Sequence, residues 1–111
     1  MTNIINRGDV YWVNFNPSMG GEIQKTRPAV VISNNYSNKA LNRIQVVPIT
    51  SNVTKCYPCE AYIRVNNKKA KAITDQLMTI SKKRLKSKID TLNSSDMLKI
   101  CRAIKIQLEL E

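Results

Sequence analysis

The segment at residues 20–27, GGEIQKTR, combines a flexible backbone with several polar side chains directly before an apolar run. It supplies two glycines, a carboxylate, two cations and a hydroxyl: Gly20, Gly21, Glu22, Lys25, Thr26 and Arg27. Glycines let a ligand approach the main chain, and a guanidinium presents a planar fork of donors that matches phosphate oxygens. Pro28 marks the start of a strand and keeps Arg27 close to rigid structure. Phosphate binding and a plain ion pair between Arg27 and Glu22 fit this segment equally well.

Two more polar clusters lie where predicted strands give way to loops. Thr50, Ser51 and Asn52 follow an apolar strand and offer two hydroxyls and an amide, although Ser and Asn are also common in ordinary turns. Asp75 and Gln76 lie between two further strands. Asp75 either balances nearby lysines or holds an amide or a cation at a binding surface.

The chain contains no histidine, so it lacks the usual general base near neutral pH and the commonest metal ligand. Cys56 and Cys59 have the C-x-x-C spacing of zinc and redox sites, but Cys101 is the only other cysteine. A tetrahedral zinc site would need two more ligands. We therefore expect no metal site, no cofactor and reduced, incidental thiols.

The charge of the chain is strongly positive. Eighteen Lys and Arg against eight Asp and Glu give a net charge of +10 and a pI near 9.8. Half of the basic residues fall between Arg64 and Lys88, where Asp75 is the only acid. This uneven distribution favours a nucleic acid partner over a merely solvated basic face.

The hydrophobic pattern predicts short strands followed by one helix. The predicted strands are residues 8–15, 29–33, 44–50, 60–65, 69–74, 77–80 and 87–92, with a tight turn at 66–68 and a helical turn at 82–85. After capping groups at residues 93–96, an apolar stripe follows helical spacing: Met97, Ile100, Cys101, Ile104 and Leu108. We predict one domain over residues 1–111, mainly β (α+β), with a small curved antiparallel sheet or barrel and a C-terminal helix.

No segment has the length of a membrane span, since the longest aliphatic run is residues 29–32. The first ten residues lack the apolar stretch of a signal peptide. We expect a soluble, cytoplasmic protein that does not bind membranes.

The order of several motifs resembles the MazF/PemK toxins of bacterial toxin–antitoxin systems. The matching stretches, in chain order, are residues 7–11 (RGDVY), 21–32 (GEIQKTRPAVVI), 47–51 (VPITS), 75–76 (DQ) and 82–85 (KKRL). They extend over nearly the full chain, and the GEIQKTRPAVVI stretch is the most specific. The resemblance implies an SH3-like β-barrel of the PemK/CcdB type with a C-terminal helix, usually as a homodimer.

The same resemblance implies site residues. In these toxins the arginine at the start of the R-P-V-V-like stretch and the threonine ending the next strand are catalytic, and they correspond to Arg27 and Thr50. Glu22 is a further catalytic candidate. Another branch uses an Arg-x-Asp-Gln pattern as its acid–base pair. Here Ile73 stands in the arginine position, which places more weight on Arg27.

The implied activity is metal-independent endonucleolytic cleavage of single-stranded RNA at a short sequence. The RNA would supply its own nucleophile, the 2′-hydroxyl, and the product would carry a 2′,3′-cyclic phosphate. We expect eight residues to bind the RNA: Gly20, Gly21, Lys25, Thr26, Ser51, Asn52, Asp75 and Gln76. An acidic tail of a cognate antitoxin would occupy the same groove.

Two other function classes remain open on the sequence. Gyrase-poisoning toxins of the CcdB type share the barrel and bind a protein target without cutting RNA, and a small RNA-binding module would also explain the charge. The pairing of Arg27 with Thr50 beside a basic groove favours the nuclease.

Overall fold

In a computed structural model that describes residues 4–110, seven strands form one curled antiparallel sheet. The strands are β1 (Asp9–Asn14), β2 (Thr26–Val31), β3 (Arg43–Thr50), β4 (Glu60–Val65), β5 (Lys68–Ile73), β6 (Met78–Ser81) and β7 (Leu85–Thr91). Helices α1 (Asn35–Ala40) and α2 (Ser94–Leu108) and two 3-10 turns, Thr74–Gln76 and Lys82–Arg84, complete the fold. The prediction of a curved antiparallel sheet with a C-terminal helix is confirmed.

Strand β3 explains how the sheet curls. One edge of β3 pairs with β2, and its other edge pairs with β6 through residues 43–46 and with β5 through Ile49 and Thr50. The sheet runs in the order β4-β5-β3-β2-β1-β7, with β6 branching from β3. The edge of β3 therefore divides between two partners, and Thr50 lies in the part that β5 borders.

The central strands are buried on both faces. Val30 and Val47 pack in a cluster that includes Met97 and Ile100 of α2. Val31 and Val46 pack on the opposite face in a cluster that includes Phe15 and Ile80. The consecutive valines of β2 and β3 suit a strand covered on both sides, since branched side chains pack well on a pleated surface.

Strand β2 begins earlier than predicted. Its expected start was residue 29, but its first residue is Thr26, because Thr26 and Arg27 pair with Asn14 and Val13 of β1. The backbone ladder outweighs the polar, loop-like composition of this stretch. Arg27 therefore belongs to the sheet itself and not to the loop before it.

Helix α1 was not predicted from the sequence. Its N-cap Asn34 accepts a hydrogen bond from the Ser37 backbone N–H. Asn38 is buried, and its amide donates to the Ser33 carbonyl while the Ser33 hydroxyl donates to the Asn38 side chain. The same hydroxyl oxygen accepts from the Gln45 backbone N–H at 3.1 Å. These contacts fasten the end of β2 to the start of β3.

The remaining elements follow the predicted pattern with small shifts. The turn between β4 and β5 places Asn66 and Asn67 at positive φ, a conformation that Asn tolerates in hairpins. In α2, Met97 and Ile100 are buried as predicted, whereas Leu108, the last residue of the predicted stripe, is exposed. Across residues 4–110, we find no helix with the length and apolar character that spanning a membrane requires.

Candidate active site

Strand pairing brings four chemically active side chains into line across the sheet. The observed β2–β3 pairs end with Ala29 opposite Pro48, and extending this register by two residues past that last pair places Arg27 level with Thr50. Thr50 is paired in turn with Lys71, and Lys71 with Tyr62. Directly opposed residues of antiparallel strands share a face. Arg27, Thr50, Lys71 and Tyr62 therefore form what we call the site row.

Arg27 has the freedom to bind a ligand. Its side chain is exposed, and only its Nε donates, to the Gln24 carbonyl at 3.4 Å. Within residues 4–110 no ion pair joins Arg27 to Glu22. The Glu22 carboxylate instead accepts from the Met19 backbone N–H at 2.6 Å. Of the two interpretations that the sequence left equal, the plain ion pair is wrong, and the terminal guanidinium nitrogens still face solvent.

Thr50 is half-buried at the last position of β3. Its hydroxyl oxygen accepts from the Asn52 backbone N–H at 3.1 Å, which leaves the hydroxyl proton available as a donor. Asn52 uses its own side chain to receive the Thr54 backbone N–H at 3.2 Å. Ser51 and Asn52 are exposed at the start of the loop that follows.

The β1–β2 loop, residues 15–25, is held by the first 3-10 turn. The Gln76 amide accepts from the Ile23 backbone N–H at 3.3 Å and donates to the Gly21 carbonyl at 3.2 Å. Glu22, Asp75 and Gln76 line one surface cavity of about 320 Å³. The structure thus brings Glu22 together with Asp75 and Gln76, while Arg27 and Thr50 lie outside that cavity lining.

Other contacts close the base of the β1–β2 loop. The Lys25 backbone N–H donates to the Asn16 side chain at 3.0 Å, and the Lys25 carbonyl accepts from Phe15 at 3.0 Å. Arg84 donates to the Asn14 and Asn16 carbonyls. Gly20 adopts φ +58°, and both Gly20 and Gly21 face open space. Lys25 and Thr26 are exposed where the loop enters β2.

The β3–β4 loop, residues 51–59, is held by residues that the sequence did not single out. The Lys71 ammonium lies 3.0 Å from Glu60 Oε1 and donates to the Lys55 carbonyl at 2.8 Å. The Tyr62 hydroxyl donates to the Val53 carbonyl at 2.7 Å. From the sequence, the lysines of β5 belonged only to the basic stretch that we expect to bind nucleic acid. Strand alternation would have placed Lys71 on the face of Glu60 and Tyr62.

The surroundings of Cys59 do not activate its thiol as a nucleophile. Burial raises the pKa of the Cys59 thiol, and the negative charges of Asp75 and Glu60 raise the same pKa further. A raised pKa lowers the thiolate fraction at neutral pH. No disulfide joins Cys56, Cys59 and Cys101 within residues 4–110.

The chain is similar in sequence to known toxins along almost its whole length. A sequence model of the "PemK-like, MazF-like toxin of type II toxin-antitoxin system" family matches residues 6–108. Endoribonuclease MazF9 of Mycobacterium tuberculosis is 31% identical over 116 residues, which cover 96% of this chain and 98% of that protein. Endoribonuclease MazF of Staphylococcus epidermidis is 34% identical over 113 residues, covering 96% and 93% of the two chains.

Solved structures have the same fold. MazF from Deinococcus radiodurans superposes with a TM-score of 0.86 at 21% identity, covering 97% of this chain and 99% of that chain. A mycobacterial endoribonuclease in complex with its cognate antitoxin superposes with a TM-score of 0.80 at 20% identity, covering 96% of each chain. At 20% and 21% identity, these two structures show that the fold is shared and nothing beyond the fold.

Proposed function

Since the chain belongs to the PemK-like, MazF-like toxins of type II toxin–antitoxin systems, we propose that it is an endoribonuclease that cleaves single-stranded mRNA at a short sequence without a metal ion. One observation carries this proposal. The β2–β3 register, extended two residues past the last observed pair of Ala29 with Pro48, places Arg27 level with Thr50, and the Arg27 side chain is exposed. A planar fork of donors beside a hydroxyl suits a phosphodiester, and the two relatives described above are named endoribonucleases.

The reaction begins with the 2′-hydroxyl of the RNA. This oxygen loses its proton to a base and attacks the adjacent phosphorus, and the bond to the 5′-oxygen breaks as that oxygen takes a proton from Arg27 or from water, so that the products are a 2′,3′-cyclic phosphate and a 5′-hydroxyl. Arg27 stabilises the charge that develops on the phosphate oxygens, a contribution of about 3–4 kcal/mol for one well-placed donor. Electrostatic stabilisation is its main role, because a guanidinium is a very weak acid.

Thr50 and Glu22 complete the proposed catalytic set. The Thr50 hydroxyl donates to a non-bridging oxygen and helps to fix the in-line geometry. Glu22 removes the proton of the 2′-hydroxyl or orients the groups around it. Its carboxylate lines the cavity shared with Asp75 and Gln76, so the RNA must pass from the site row into this cavity for Glu22 to act as the base.

Residues on both sides of the site row bind the RNA in this proposal. They belong to the β1–β2 loop, the start of β2, the start of the β3–β4 loop and the first 3-10 turn: Gly20, Gly21, Lys25, Thr26, Ser51, Asn52, Asp75 and Gln76. The net charge of +10 supports binding to the phosphate backbone, since each neutralised phosphate releases counterions.

We further propose that the protein acts in the cytoplasm as a homodimer and is neutralised by a cognate antitoxin. The mycobacterial structure described above is a complex with its antitoxin. An acidic antitoxin tail has the charge to compete with RNA for the basic groove of this chain.

The test is incubation of the purified protein with structured and unstructured RNA in EDTA, followed by mapping of the cleaved ends. Arg27→Ala should lower kcat by about 10²–10³-fold. Arg27→Lys should also be severely impaired, because an ammonium lacks the planar fork.

Thr50→Val should lose most activity and Thr50→Ser should retain much of it. Arg43→Ala is the matched control, since Arg43 is exposed at the opposite end of β3.

Three outcomes separate the function classes. Cyclic phosphate ends that disappear in Arg27→Ala support the nuclease. RNA that is bound but left intact would identify a non-cleaving RNA-binding module. Intact RNA without binding would favour a CcdB-type toxin with a protein target.

A further inference from the structure

A buried ion pair lies next to the proposed catalytic threonine. The side chains of Lys71 and Glu60 are each 10% exposed, and their charged atoms are 3.0 Å apart. Replacing such a pair by apolar residues of similar volume is often neutral or stabilising, because two charges must leave water to form it. Stability alone therefore gives little reason for a charged pair here.

The pair makes contacts that point to a different role. Lys71 is directly opposite Thr50, and its ammonium also donates to the Lys55 carbonyl at 2.8 Å. Glu60 Oε1 accepts from the Tyr57 backbone N–H at 3.0 Å, and the Glu60 N–H donates to the Tyr57 carbonyl at 2.8 Å. One ion pair therefore fastens the β3–β4 loop at two points, beside the strand position that holds Thr50.

We propose that Lys71 and Glu60 are positioning residues that hold the β3–β4 loop as a fixed wall for one unpaired nucleotide next to the scissile phosphate. This inference rests on the proposed RNA cleavage. The Lys71 ammonium is engaged with Glu60 and Lys55, so it acts through the loop and not by contact with RNA. Tyr57 offers the wall a ring that is 56% exposed, and aromatic rings stack on bases of any sequence.

The decisive variant removes both charges together. Lys71→Met combined with Glu60→Leu leaves no unpaired charge, whereas either change alone leaves the remaining charge buried without a partner. We expect a melting temperature at or above that of the wild type. We expect KM for a short unpaired RNA to rise about tenfold with kcat changed less than about twofold, because loop contacts hold substrate and transition state alike. The cleavage pattern on a random RNA pool should broaden at one position beside the cut.

Two further variants sharpen the result. Lys99→Met breaks the Lys99–Asp96 contact, a 3.7 Å pair on α2 whose lysine is 53% exposed, and should leave KM and the cleavage pattern unchanged. Lys71→Arg keeps the positive charge and should therefore keep most of the wild-type selectivity that the double variant loses. Tyr62→Phe removes only the hydrogen bond to Val53 and should raise KM by about threefold.

The outcomes distinguish this inference from the function on which it rests. If the wild type leaves RNA intact, the proposed function and this inference both fail. If the wild type cleaves and the folded double variant keeps the same KM and cleavage pattern, only the inference fails. A double variant that does not fold would assign the ion pair to stability and would also overturn it.

Discussion

The two loops that border Arg27 and Thr50 are fastened by different kinds of contact. The β1–β2 loop is held by neutral hydrogen bonds from the Gln76 amide and by a guanidinium that binds main-chain carbonyls at its base. The β3–β4 loop is held by the buried Lys71–Glu60 ion pair and by the Tyr62 hydroxyl. The first loop also contains the two glycines, which face open space.

This difference indicates different mechanical roles. A neutral hydrogen bond contributes about 0.5–1.5 kcal/mol, so contacts of the Gln76 kind open and reform readily. Breaking one partner of a buried ion pair leaves an uncompensated charge, which keeps the β3–β4 loop in place. We therefore expect the β1–β2 loop to move when RNA or an antitoxin arrives, and the β3–β4 loop to keep its shape.

Among the substitutions that test this difference between the two loops, Gln76→Ala should have the largest effect. The change removes both hydrogen bonds to the β1–β2 loop. At about 1 kcal/mol each, their loss should lower the population of the ordered loop by about thirtyfold, and kcat/KM should fall by about tenfold or more. Limited proteolysis should show faster cutting within residues 15–25 and unchanged cutting within residues 51–59.

Gln45→Ala provides the control for this experiment, because the Gln45 side chain is exposed near the other end of β3. Equal proteolysis of both loops in Gln76→Ala would contradict the distinction between a movable loop and a fixed one.

A smaller effect should separate the two adjacent glycines. Gly20 has φ +58° and Gly21 has ordinary backbone geometry, while a Cβ at either position would meet no atom within 4 Å. Gly20→Ala should therefore cost about 1 kcal/mol in loop conformation, equivalent to roughly fivefold in kcat/KM, through backbone strain alone. Gly21→Ala should have little effect. Equal losses in the two variants, measured as kcat/KM on the same RNA, would mean that strain at Gly20 does not shape the loop.

The smallest effect should appear at Cys59 in the β3–β4 loop. Burial is the largest cause of the raised pKa of its thiol, and the negative charge of Asp75 is the second largest. A raised pKa means less thiolate at a given pH, so at about pH 8 iodoacetamide should label Cys59 more slowly in the folded protein than in the unfolded chain. Asp75→Asn should accelerate labelling of the folded protein only in part, because burial, the larger cause of the raised pKa, remains. Mass spectrometry of the Cys59 peptide gives both rates, and identical rates in folded and unfolded protein would refute this.

Sequence reasoning succeeded where periodicity was strong. Strands β1 and β4 and helix α2 were predicted close to their observed bounds, because alternating or helical spacing of apolar residues dominates those stretches. It missed α1, because an Asn- and Ser-rich stretch is also typical of loops. It placed the start of β2 too late, because the pairing of Thr26 and Arg27 with β1 depends on a distant strand.

The candidate site shows a similar limit. Family resemblance singled out Arg27 and Thr50, but their relation across the sheet follows only from the β2–β3 register, extended two residues past Ala29 and Pro48. Lys71 and Glu60 were missed because a lysine in a charged strand is usually solvated, and burial depends on tertiary contacts. The two hydrogen bonds from the Gln76 side chain to the β1–β2 loop could not be predicted from the sequence either, because they join residues more than fifty positions apart in the chain.

The short helix α1 has a consequence for strand alignment. Val30 and Val31 face Val47 and Val46, so a slip of one residue between β2 and β3 would still set valine against valine. Hydrophobic burial therefore discriminates poorly among alignments, although each slip would turn Thr50 to the opposite face of the sheet. The hydrogen bonds of Ser33 with Asn38 and Gln45 select the native alignment at the far end of the strand pair. A substitution at Asn38 would then disable the site by misalignment while every residue of the site remained unchanged.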